Sequence, residues 1–400
     1  MMKPKVVIIG HGYLSRLSLI RSVAQLGSEV TVIVMTIGRH QSDSINQIDL
    51  YSKYIKRYLY CPRKDSDVLI DLLLSKCVDP HQKVILIPDG DDVVSTIDNN
   101  KEKLKEHFLF PHIAKAPYSM DYWMEKTHQK RLAKEIGLEV ANALVIEIKD
   151  GKFQIPNDVN YPCFPKPLAT MNGGKGGMRR CNNERELFDA LMYIIETRSR
   201  NVKVLVEDFK QIDTEYALLG FSDGKDVIIP GVLQFLTVSK AHTGIALKGR
   251  VMPVLGFEDL IDLFKQLVLS IGFVGVFDID FFKSNNLYYF CELNLRYGGS
   301  GYAITRMGVN LPAMMVKSLS GESLEGIPSK ISESAVYVNE KMCMDDWNGG
   351  FISLKEFKDY QSSASISFIQ DDNDPSPWRI YRRYYWRRLV VNVIKSIFGK

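Results

Sequence analysis

Apolar runs alternate with polar and glycine-containing breaks along the first part of the chain. Residues 4–9 (PKVVII) have the pattern of a buried strand, and Gly10-His11-Gly12 interrupts them. Residues 14–26 then follow a helical pattern, and residues 29–35 return to an apolar strand. This β-α-β opening predicts a parallel sheet, since parallel neighbours need a crossover helix. A further strand at 84–87 runs into Pro88-Asp89-Gly90-Asp91-Asp92, and a helix is predicted over 93–107. From Pro117 the pattern changes. A helix over 121–136 stops at Gly137, followed by a strand at 141–146 and another containing Phe164-Pro165-Lys166-Pro167. A glycine-rich loop, a helix over 184–196 and strands from Lys203 to a hairpin at Asp280 complete this part. A polar, proline-containing connection at 325–335 reads as a boundary. The predicted class is α/β (α+β overall), with a Rossmann-like parallel sheet over 1–115. A two-lobed domain over 116–330 follows, its lobes at about 116–200 and 201–330, and then a small segment over 331–400.

The hairpin carries the chemistry. Side chains alternate along a strand, so Glu292, Asn294 and Arg296 point one way while Leu293 and Leu295 point into a core. Oxygen donors beside a guanidinium suit Mg²⁺ carrying phosphates; a solvated sheet face is the other reading. Glycines in Tyr297-Gly298-Gly299-Ser300-Gly301 favour the first, because they permit close backbone approach. Register adds a condition. A two-residue turn at Asn285-Asn286 would pair Asp280 with Cys291 and turn Glu292 away. If both carboxylates face one metal, an odd loop or a bulge is expected near residues 284–287, with Asp278 as the fallback ligand.

Lys166 lies between two prolines and is held extended by Pro167. The following Met171-Asn172-Gly173-Gly174-Lys175-Gly176-Gly177 could fold its N–H groups over phosphates; a flexible hairpin tip is the alternative. The first glycine turn, Gly10-x-Gly12-x-x-Ser15, lacks the third glycine of a dinucleotide fingerprint. The acid expected after the second strand is also missing, which argues against NAD. The turn could still seat an anion at the helix start. Lys248 and Arg250 share strand parity and could clamp a substrate carboxylate, or face solvent. His242, Ser300, Tyr302, His11 and Ser15 are further candidates for the substrate cleft.

Composition narrows the class. The 400 residues are 46% hydrophobic and 24% charged, as in a soluble globular protein of two or three domains. There is no apolar run of about 20 residues, and the opening MMKPKVVIIGHG reads as a strand rather than a secretory signal. The six cysteines are scattered without a Cys-x-x-Cys pair, so reduced thiols in a cytosolic protein are expected. Of the 51 basic residues, seven lie in 378–400, which has no acid; the rest of the chain holds 44 basic against 47 acidic. The body therefore has no nucleic-acid footprint. The tail mixes aromatic, aliphatic and basic residues. It reads either as a helix packed on the body or as one lying on an anionic membrane, which would suit an enzyme of envelope or polysaccharide precursors.

The order Glu125-Lys126, Gly137, Phe164-Pro165-Lys166-Pro167, the glycine loop, Val206-Glu207-Asp208-Phe209, Glu215, Asp280 and Glu292-x-Asn294-x-Arg296 resembles the ATP-grasp superfamily over residues 84–320. Leu86-Ile87-Pro88 with Asp91, and Asp374-Pro375-Ser376-Pro377, look like the carboxylate–amine ligase branch that includes D-aspartate ligase. The resemblance implies ATP and Mg²⁺ (Mn²⁺ as a substitute), with two ions. Lys126, chosen over Lys130, and Lys166 would contact phosphates under Gly173, Gly174 and Gly176. Glu207 would meet adenine at the hinge, completed by Phe209 or Lys210, and Glu215 would hold the ribose. Asp280, Glu292 and Asn294 would bind metal, and Arg296 the transferred phosphate. It implies small-molecule carboxylate and amine substrates joined through an acyl phosphate, with a homodimer as an open arrangement. A carboxylase-like relative or an ATP-binding protein without turnover are the alternatives.

Overall fold

The structure, a computed structural model, describes residues 3–36, 44–62, 65–168, 178–197, 199–242 and 244–398. The first sheet contains β1 (Lys5–Gly10), β2 (Glu29–Thr36), β3 (Ile55–Pro62), β4 (Val84–Asp89) and β5 (Phe108–Leu109), in the order β3-β2-β1-β4-β5. All four pairings are parallel, as the β-α-β opening predicts. β1, β2 and β4 are Val/Ile-rich and almost wholly buried, because helices cover both faces. The edge strand β3 is half exposed and carries Lys56 and Arg57 with Ile55, Tyr58, Leu59 and Tyr60 in no clean alternation. That is why its pattern does not stand out in the sequence.

Two predicted helices are broken. The helix expected over 93–107 is two shorter ones, Asp91–Asn99 and Lys101–Leu104, separated at Asn100. The helix expected over 121–136 is interrupted at Glu125, whose backbone is extended (φ −78°, ψ 121°), leaving Met120–Met124 and Lys126–Ile136. The break puts Lys126 at the first position of the second helix. Gly137 ends it at φ 101°, a left-handed geometry that glycine adopts without strain.

A small antiparallel sheet follows, with β6 (Ala143–Ile148), β7 (Cys163–Pro167) and β8 (Val202–Asp208) in the order β6-β8-β7. The helix Glu184–Thr197 covers one face through Leu187, Ala190, Leu191 and Ile194. The large mixed sheet contains β9 (Thr214–Asp223), β10 (Val232–Val238), β11 (Ala246–Met252), β12 (Phe273–Ser284), β13 (Leu287–Asn294) and β14 (Ala335–Val338). Their order is β14-β11-β10-β9-β12-β13. β14 comes from beyond the polar connection at 325–335, yet it pairs with β11 in this sheet.

Alternation along β9 separates two cores. Ala217, Leu219 and Phe221 join Leu19, Ile20 and Val23 of the helix Tyr13–Ala24 in one cluster. Tyr216 and Leu218 face the other way, toward Phe264 and Leu267 of the helix Glu258–Ile271. The first sheet and the large sheet therefore share buried apolar surface. This fixes the ends of β1 and β4 beside the β12–β13 hairpin.

Candidate functional site

The hairpin turns at Asn285-Asn286, both left-handed (φ 50° and 65°), a conformation asparagine tolerates better than most residues. Ser284 pairs with Leu287, and the ladder runs regularly to Phe281 opposite Phe290. There the register shifts: Asp280 pairs with Glu292 and Asp278 with Asn294, leaving Cys291 as the extra residue of a bulge. The phase correction expected near 284–287 lies instead at Cys291. The turn itself is the regular two-residue kind, because Asn-Asn can supply both positive φ angles. Asp280, Cys291 and Glu292 all line a cavity of about 520 Å³.

Lysines face these carboxylates. Lys126 Nζ pairs with Glu292. Burial pushes the Glu292 carboxyl upward, but Lys126, with Lys166 and Arg296 nearby, outweighs it and holds the group down at about 2. Lys166 on β7 and Lys130, one helical turn after Lys126, both lie 2.7 Å from Glu207 oxygens. Glu207 is held below the usual carboxylate range, since the two lysines overcome its burial. Burial lowers Lys130, and Glu207 offsets only part of that. Lys126 and Lys130 each reach an acid of this cluster, Glu292 and Glu207 respectively. The residues are four apart on one helix face, and that spacing is the sequence signal that brings both in.

Glu207 is committed through its carboxylate to this ionic bridge. Phe209, Lys210 and Ile212 line the adjoining wall with Phe164, Phe235 and Phe282, giving an apolar slot. Glu215 opens β9 and also lines the cavity. Gly173, Gly174 and Gly176 lie outside the described residues.

Arg296 follows β13, and its Nε lies 2.7 Å from Asp91 Oδ1 at the start of the helix Asp91–Asn99. Asp91, Asp278 and Asp89 raise Arg296 further above its ordinary value, against the effect of burial. Asp278 Oδ1 is buried without a hydrogen-bond partner, and Gly298 passes so close to this carboxylate that a Cβ there would collide with it. At the other side of the cleft, Ser15 Oγ donates to Asp89 Oδ2 at 2.9 Å. Burial pushes Asp89 up to about 7.

The substrate candidates are not brought to the cavity wall. Lys248 is half-buried and Arg250 exposed on β11, and neither lines the cavity. His242 is exposed and lies 3.2 Å from Asp345. Ser300 stands just before the short helix Gly301–Arg306 without a side-chain capping bond, and Tyr302 donates to Asp371. His11 sits 3.9 Å from Asp92.

One contributor had no signal in the sequence. Asp346, fully buried in the helix Glu340–Asn348, accepts from Ser239 Oγ at 2.5 Å, Lys240 N–H at 2.8 Å and Ala241 N–H at 3.2 Å. It pins the β10–β11 connection, whose Gly244 lines the cavity.

The family model described as carbamoyl-phosphate synthase L chain, ATP-binding domain, matches residues 125–327, half of the chain. The chain belongs to this ATP-grasp family. The carbamoyl phosphate synthase large chain of Clostridium perfringens (strain SM101) is 27% identical over 175 residues, covering 42% of this chain and 16% of that protein. The C-terminal section of the large chain from Aquifex aeolicus is 23% identical over 222 residues, covering 54% and 41%. This chain thus matches well under half the length of these relatives. Solved ATP-grasp structures share the fold across most of the chain. The L-amino acid ligase of Bacillus licheniformis has a TM-score of 0.61 at 16% identity, with 84% of this chain and 79% of that one covered. N5-carboxyaminoimidazole synthetase of Staphylococcus aureus complexed with ADP gives 0.59 at 18%, covering 84% and 82%. The biotin carboxylase domain dimer of Hydrogenobacter thermophilus 2-oxoglutarate carboxylase, in complex with MgADP, ADP and bicarbonate, gives 0.62 at 18%, covering 84% and 74%.

Proposed function

We propose that this chain is an ATP- and Mg²⁺-dependent ligase that activates a carboxylate as an acyl phosphate and joins it to an amine. The observation that carries this is the bulged hairpin. It sets Asp280 opposite Glu292 on the wall of a cavity that also holds Lys126 and Lys166. The amino acid ligase among the fold neighbours supports an amino acid or peptide-like pair of substrates.

The donor set fits magnesium. Asp280, Glu292 and Asn294 offer hard oxygen ligands, and Glu292 is ionised throughout the neutral range. Among the described residues no group of three or more His, Cys, Asp or Glu forms a complete cage. That suits an ion which usually takes one or two carboxylates and completes its shell with phosphate oxygens and water. When bound, Mg²⁺ would neutralise charge on the phosphates. Lys126 and Lys166 would hold the β- and γ-phosphates as point charges, and Arg296 would hold the transferring phosphoryl group. A substrate carboxylate oxygen bonds to the γ-phosphorus as the bond from that phosphorus to the β–γ bridging oxygen breaks, and ADP leaves. The amine nitrogen then bonds to the acyl carbon, phosphate departs with the C–O electron pair, and the amine proton passes to solvent.

The test is ADP release on pooled amino acids and small carboxylates, with mass detection of condensed products. Release that requires both a carboxylate and an amine is expected. Arg296→Lys should lower turnover about 100-fold, because the planar fork is lost while the charge remains. ATP binding without turnover on any pool would overturn the proposal.

A further inference from the structure

The last described helix, Pro375–Phe398, has two faces of different kinds. Trp378, Tyr381, Tyr384, Tyr385 and Leu389 pack against the body in the cluster that holds Trp347 and Phe357, with Phe357 stacked on Tyr385 at 5.5 Å. This face accounts for four of the six aromatic residues of the basic tail without invoking any partner.

The opposite face is not explained that way. Arg379, Arg382, Arg383, Trp386, Arg387 and Val390 follow one another at spacings of three and one residues and fall within one arc of the helix. All six are exposed, Trp386 at 54% and Val390 at 55%. Val391, beside them, is 40% exposed. Among the described residues none of these four arginines has an acidic partner within 4 Å, whereas other helix cations of this protein do, such as Lys341 with Asp345 and Lys317 with Glu322. A solvated helix face commonly mixes both signs of charge. This one has a single sign, and it encloses a tryptophan and a valine.

We infer that this face docks the protein on an anionic lipid bilayer surface. Four unneutralised guanidinium groups complement a sheet of lipid phosphates, to which each can donate several hydrogen bonds. Trp386 and Val390 lie between them at the depth where an indole partitions to the headgroup boundary, and the arginine stems can bend outward to the phosphates. Among the described residues no helix is long and apolar enough to cross a membrane, so the contact is along the surface. A second copy of the same face is the poorer occupant, because it would set arginines against arginines. Nucleic acid is poorer too: it gives no use for Val390, and the rest of the chain carries 44 basic against 47 acidic residues.

The test uses the full chain with extruded vesicles, either phosphatidylcholine alone or an equal mixture with phosphatidylglycerol, sedimented at low and at physiological salt. Binding to the mixed vesicles and not to phosphatidylcholine is expected. The combined Arg379→Glu, Arg382→Glu, Arg383→Glu and Arg387→Glu variant should lose it at least 100-fold, at about fivefold per arginine removed. Trp386→Ser should weaken binding most at the higher salt, where the apolar share of the contact dominates. Unchanged unfolding midpoints would show that the packed face is intact. The inference is overturned by absent binding to the mixed vesicles at low salt, by binding that survives the four reversals, or by tighter binding to DNA than to vesicles. Self-association through this face without lipid would also overturn it. Because these residues lie away from the cavity, loss of lipid binding with ADP release intact separates this inference from the ligase proposal.

Discussion

Asp89 is buried and Glu292 half-buried, yet their carboxyls sit at opposite ends of the titration range, and the difference is how far neighbouring cations offset the loss of water. Glu292 meets Lys126, Lys166 and Arg296, and is held down at about 2. Burial pushes Asp89 up to about 7, and the Ser15 hydroxyl with Arg16 and Arg296 offsets only part of that. In the folded protein Asp89 therefore keeps a proton that the unfolded chain gives up near pH 4. Its contribution to stability is complete below about pH 4 and is lost as pH rises toward 7. Asp89→Asn keeps an acceptor for Ser15 Oγ but removes the titration. Urea midpoints measured from pH 4.5 to 7.5 should fall for the parent relative to the variant, and parallel curves would contradict this assignment. At this scale the sequence was legible where residue type and order carry the information, as for Lys126, Lys166, Glu215, Asp280 and Glu292, all at the cavity. It was silent on Asp346, and Lys248, Arg250, His242 and Ser300 do not line the cavity. Parity along one strand says which face a side chain takes, but not which face the cavity lies on.

Elements were predicted best where one apolar pattern dominates. The strands at the start of the chain are buried on both faces and read as plain apolar runs. The break at Glu125 and the bulge at Cys291 are tertiary choices, each setting one side chain in place without a breaker residue to announce it. The requirement that Asp280 and Glu292 stay in phase did follow from strand geometry; the position of the bulge did not. The connection from Ser239 to Ile245 depends on an element distant in sequence. Asp346→Asn would leave Asp346's partners with one good acceptor in place of two, loosening the wall at Gly244. A KM for nucleotide raised about 5- to 10-fold with kcat nearly unchanged is expected, and a turnover defect with unchanged KM would contradict this positioning role. Ser239→Ala should show the same split in milder form.

Across the whole molecule, the family match ends at residue 327, but the segment beyond it is integral to the fold. β14 extends the large sheet, Asp346 braces the cavity wall, and buried Asp374 takes the Arg21 guanidinium at 3.0 Å. Arg21 also donates to the carbonyls of Phe368 and Ile369. The Asp-Pro-Ser-Pro motif that resembles one ligase branch is, in this structure, part of the tie between the first helix and the last segment. Such long-range pairing leaves no periodic trace, so it could not be read from the chain.

The proposed ligase makes an acyl phosphate in this cleft. This is tested most directly by supplying ATP, Mg²⁺ and pooled carboxylates with hydroxylamine in place of an amine. Acyl phosphates react with hydroxylamine to give hydroxamates. A hydroxamate formed in step with ADP is expected, at a rate about 100-fold lower in Arg296→Lys. ADP formed without hydroxamate on any carboxylate, or ATP bound with no ADP formed, would contradict it.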